Sequence, residues 1–100
     1  MSLRNKILNL LADIPDARFR LEVARTIYYL YQVFLAGGAP ESEIKKALYE
    51  IAYQVIDRRE PLLDVDTKKE KARKFAEDIY SAFVSESLSR MIQSKFKFPI

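Results

Sequence analysis

Carboxylates are the only obvious acid–base groups in this sequence, because it contains no histidine and no cysteine. Three close pairs stand out: Asp13 with Asp16, Asp64 with Asp66, and Glu77 with Asp78. General acid–base work needs carboxyls that converge in a desolvated cleft and have their pKa values driven apart. Neighbours in sequence do not supply that. Asp13 and Asp16 read as a helix start, and Glu77 and Asp78 as the wet side of a helix. Asp64 and Asp66 open like a calcium loop, but Lys68 stands where the third oxygen ligand belongs and no glycine follows. A Ser-x-x-Lys spacing occurs at Ser42–Lys45 and again at Ser94–Lys97. The acyl-transfer chemistry this spacing can signal needs companion motifs and a far larger scaffold.

The missing residue types exclude whole classes. Without imidazole or thiolate there is no ordinary zinc site, no dithiol redox motif, no disulfide and no Ser-His-Asp triad. Gly37 and Gly38 are the only glycines and adjoin each other, so neither a Walker loop nor a dinucleotide fingerprint can be written. The reading is therefore of a protein that is not an enzyme and holds no metal or cofactor.

Binding chemistry is better represented. Lys68, Lys69, Lys71, Arg73 and Lys74 cluster near the start of the last helical stretch, and Lys95 and Lys97 alternate with Phe96 and Phe98 at the end. Such a mixture suits sequence-independent phosphate contact and base stacking. The formal charge divides as +2 over residues 1–40, −3 over 41–66 and +4 over 67–100, giving a mild net +3. A helix-turn-helix about Gly37 and Gly38 fits in length, but its second helix would enter with Glu41 and Glu43, which repel phosphate. Aromatic residues make up 12% of the chain, six of them tyrosine, more than a small helical core needs. Tyr28, Tyr29 and Tyr31 cannot all face one core. They are the first candidates for a partner interface, with Tyr49, Tyr53, Phe96, Phe98 and Ile100.

These side chains must be carried by helices. Periodicity and breakers predict an all-α, compact four-helix bundle, with helices at about 2–12, 14–36, 40–59 and 67–95 and a short tail. In the first, Leu3, Ile7, Leu10 and Leu11 share a face. Asp13 is the expected cap of the second, with Pro15 in its first turn. The second helix carries two apolar stripes. Ala17, Leu21, Ala24, Tyr28, Tyr31 and Leu35 follow the four-three step of a buried seam, and Phe19, Val23, Ile27, Leu30 and Phe34 run beside it. Ile44, Ala47, Leu48, Ile51, Ala52 and Val55 are the expected inner face of the third helix. Thr67 and Glu70 predict a capping box for the fourth, whose apolar face would run from Ala72 through Phe83 to Leu88, Met91 and Ile92.

With 100 residues, 49% hydrophobic, the chain has the size of one domain. A core this small leaves room for stabilisation by a partner. The longest uncharged run, Thr26 to Pro40, is too short to cross a bilayer, and the N-terminal stretch lacks a cleavage pattern. Scarce Asn, Gln, Cys and Met against many Lys, Arg, Asp and Glu is the bias of heat-adapted proteins. The combined expectation is a soluble, cytoplasmic, thermophilic interaction module. It would be an accessory subunit of a larger, nucleic-acid-processing assembly or a homodimer, and direct nucleic-acid contact is the alternative.

Overall fold

Four stretches with helical periodicity, separated by Pro15, Gly37–Gly38 and Pro61, become four α-helices in the computed structural model, which describes the backbone of residues 2–96 and the side chains of residues 2–91. They are α1 (Leu3–Leu10), α2 (Ala17–Ala36), α3 (Glu41–Arg59) and α4 (Val65–Phe96). No strand occurs among the described residues, so the chain is an all-α four-helix bundle. α3 and α4 pack together most extensively, α1 lies on α4, and α2 contacts both α3 and α4.

The helix ends correct several expectations. Asp16, not Asp13, caps α2, its carboxylate accepting from the Phe19 amide at 3.1 Å, so the helix begins at Ala17 and Pro15 lies before it instead of in its first turn. Asp13 instead adopts φ 65° in the turn after α1, a left-handed conformation that aspartate tolerates better than most side chains. Pro40 is the residue before α3 and not part of its first turn. The expected Thr67–Glu70 box does not form. Asp64 accepts from the Thr67 amide at 3.0 Å and its hydroxyl at 2.6 Å, so α4 begins earlier, while Glu70 pairs with Arg73. Gly37 does stop α2 in the left-handed region. The Gly37 amide bonds the Phe34 carbonyl and the Gly38 amide the Val33 carbonyl, a Schellman closure.

The core combines Leu3, Ile7 and Leu10 of α1 with Ile44, Leu48, Ala52, Val55 and Ile56 of α3. α4 supplies Ala72, Ala76, Ile79, Ala82 and Phe83, its alanines letting α3 approach closely. Each large side chain enclosed this way contributes about 1.5–3 kcal/mol of transfer free energy. An eight-residue helix such as α1 is unstable alone. It is held at both ends: the Leu3 amide donates to Glu86 Oε1 at 3.1 Å, and Arg59 donates to the carbonyl of Leu10 at 3.0 Å.

Two apolar faces are not where the pattern put them. On α2 the core takes Phe19, Val23, Ile27 and Tyr31, whereas Leu21, Tyr28 and Leu35 of the presumed seam stand exposed. On α4, Leu88 and Met91 are exposed. For α4 the physical reason is length. At 1.5 Å per residue the 32-residue α4 extends about 48 Å, against about 30 Å for α2, so its last turns outrun the helices that could cover them.

Candidate interaction surface

Because α2 turns one stripe inward, the other must face outward. Leu21, Tyr28 and Leu35 recur at seven-residue steps along it, and Leu21 is 51% exposed and Tyr28 42%. α1 adds Leu8, 57% exposed, from the opposite wall. Between the two helices lies an open groove of about 420 Å³, lined by Ile7, Leu8, Leu11, Leu21, Ala24 and Tyr28, with Arg4 and Arg20 on its edges. Arg20 is positioned by donating to the carbonyl of Ile14. A second open cleft, about 450 Å³, lies where Phe34 and Leu35 of α2 meet Ser87, Arg90 and Met91 of α4.

The residues singled out for a partner interface fall into separate groups. Tyr28 and Tyr29 are exposed on α2, Tyr29 at 66%. Tyr31 faces the core and stacks among Phe34 and Phe83, so it offers no outer surface. Tyr49 and Tyr53 are half-buried on α3 with ring centroids 6.4 Å apart, packed against the core. Phe98 and Ile100 lie outside the described residues, and Phe96 is described only as the last residue of α4. Leu8 is a surface residue that the sequence reading does not single out. Leu8 falls off the Leu3–Ile7–Leu10 face, a signal that was present in the spacing.

The lysine-rich stretch does not form an open cationic patch. Lys68 is buried, donating to Asp57 at 2.7 Å and to the carbonyl of Pro61 at 3.1 Å, contrary to the solvated placement its neighbours suggest. Its partner comes from the end of α3 across the loop. Lys71 pairs with Glu60 at 2.8 Å, and Arg73 with Glu70. Lys69 and Lys74 are exposed and make no ion pair among the described residues. The side chains of Lys95 and Lys97 lie outside the described residues.

The perturbed titrations follow from these pairings and from burial. The Lys71 ammonium holds Glu60 below its usual value, Arg73 does the same for Glu70, and the Thr67 hydrogen bonds do so for Asp64. Glu77 raises Lys45, which also lies 5.0 Å above the Tyr80 ring. Burial raises the phenols of Tyr31 and Tyr80. Each shift belongs to a local pair or a buried ring, and none brings two carboxyls into a shared cleft. Among the described residues no group of three or more acidic side chains is disposed to hold a metal ion. Nor is any described helix long and apolar enough to cross a membrane. Compared with protein-family models, curated proteins and solved structures, the chain shows no significant match to any.

Proposed function

We propose that this chain is a non-enzymatic helical interaction module, working as an accessory or stabilising subunit of a larger assembly. The carrying observation is the outward stripe Leu21–Tyr28–Leu35 of α2 with Leu8 of α1 beside it. Leaving large apolar side chains in contiguous contact with water is unfavourable unless another surface removes them. Tyr28 and Tyr29 supply the amphipathic rings that interfaces favour. A cytoplasmic, heat-adapted setting and an assembly that handles nucleic acid belong to the same proposal, on composition and mild basicity alone.

Gel filtration of extracts from cells that make the protein tests this reading. The chain should elute well above its own 11.7 kDa, and the exposed double variant Leu21→Ser, Tyr28→Ser should return it to monomer size. Wild-type elution as a lone monomer overturns it. The alternative of direct nucleic-acid binding is less supported, since three of the five clustered cations are already neutralised by Asp57, Glu60 and Glu70. Affinity for DNA that falls with rising salt, and falls again on Lys69→Glu with Lys74→Glu, would favour it.

A further inference from the structure

We propose that the groove between α1 and α2 receives an acidic amphipathic helix from a partner protein, an inference that rests on the interaction-module reading. Its floor is apolar, while among the described residues the charged side chains that line it are Arg4 and Arg20, with no carboxylate. Arg25 stands exposed beside Ala24, one turn from both Leu21 and Tyr28. Arg4 and Arg25 make no ion pair among the described residues. The nearest acid on α2, Glu22, is engaged by Arg18 at 3.6 Å. The groove therefore presents hydrophobic contact flanked by uncompensated positive charge, and its complement is an apolar stripe flanked by carboxylates.

The dimensions suit a helix. From Leu21 to Tyr28 is seven residues, two turns and about 10.5 Å of rise, which matches apolar anchors at positions i, i+3 or i+4, and i+7 of the incoming segment. A second copy of this chain fits poorly. Pairing two α2 helices antiparallel about Ala24 sets Arg25 facing its own counterpart or Arg18, and parallel pairing sets Arg20 facing Arg25; both arrangements juxtapose like charges. A flat lipid surface fits poorly as well, since the apolar floor lies between two helices and not on one convex face.

The probe is a displayed library of 18-residue helical peptides with fixed apolar anchors and flanking positions randomised between Glu and Lys, selected against the full chain. Selection should enrich Glu over Lys by about tenfold, a difference of about 1.4 kcal/mol. The surface variant Arg4→Glu, Arg25→Glu should reverse that preference without changing the helical circular dichroism. No preference, or enrichment of Lys, overturns the acidic-helix proposal, while the gel-filtration result still decides the broader reading separately. Sedimentation velocity of the purified chain should show a monomer. Concentration-dependent dimers abolished by Leu21→Ser would assign the groove to a second copy and overturn the proposal. Co-sedimentation with phosphatidylglycerol vesicles that is lost in the same arginine variant would overturn it in favour of a lipid surface.

Discussion

Tyr31→Phe should stabilise the protein. The Tyr31 side chain is enclosed, packed against Phe83 at a centroid separation of 5.2 Å and Phe34 at 6.4 Å, with the Arg90 guanidinium 6.0 Å from its ring. Its hydroxyl is buried and has no hydrogen-bond partner among the described residues. A buried polar group without a partner forfeits its hydration, at about 1–3 kcal/mol. Phenylalanine keeps the ring contacts and removes that cost, offset by the few dispersion contacts of one oxygen. The expected gain is about 1 kcal/mol, or roughly 4–8 °C in Tm for a domain of this size. Alkaline pH supplies an independent check. Burial raises this phenol above its ordinary 10.0, Arg90 pulls it back and Glu86 pushes it further up. Above pH 10 the unfolded chain therefore releases the proton while the folded chain retains it, so wild-type stability falls as pH rises through the raised value. The variant lacks that loss, and its advantage should widen. Tyr80 shifts in the same direction but is present in both proteins, so the difference isolates Tyr31. Urea unfolding at pH 7 and at pH 10.5 reads both effects. A variant destabilised by about 1 kcal/mol or more, or an advantage that shrinks at high pH, would refute the reasoning.

Three further outcomes follow from local geometry. Gly37→Ala should cost about 1 kcal/mol in thermal unfolding because φ 65° strains any Cβ-bearing residue, even with nothing within 4 Å of the added carbon. Gly38→Ala, whose Cβ would meet Val33 at 3.4 Å, should cost less. Lys68→Ala should lose about 1–3 kcal/mol, since it strips the Pro61 carbonyl and Asp57 of their donor, and Lys68→Met should recover part of that by keeping the buried stem. Acidification should weaken the fold: Glu60, Asp64 and Glu70 are all lowered, so their contribution is whole above their ordinary values of 4.5, 3.8 and 4.5 and is lost as pH falls through the depressed ones. Circular dichroism melts between pH 5 and pH 2 that show rising stability would contradict this.

The helices themselves were legible because periodicity and breakers agree: Gly37 ends α2 where its position implies, and Glu41 and Glu43 open α3. The inner face of α3 was read almost residue for residue, since its wet side is cleanly polar. α2 misled because both its stripes are apolar, and hydropathy alone cannot choose which one meets α3 and α4. Packing chose the stripe of Phe19, Val23 and Ile27 and left Leu21 and Tyr28 outside. Asp13 and Asp16 are both competent caps three residues apart, and only the turn geometry decides between them. The burial of Lys68 was hidden because Asp57 lies eleven residues away across a loop. The groove depends on where α1 sits relative to α2, which no local pattern encodes.

Site-specific photo-crosslinking in living cells addresses the working surface itself. A photoreactive phenylalanine at position 28, which lines the groove between α1 and α2, should give a discrete adduct with a partner. The same group at position 46, on the exposed side of α3, should give none. Adducts of equal yield from both positions, or from position 46 alone, would contradict the assignment of the α1–α2 face as the surface through which this protein acts.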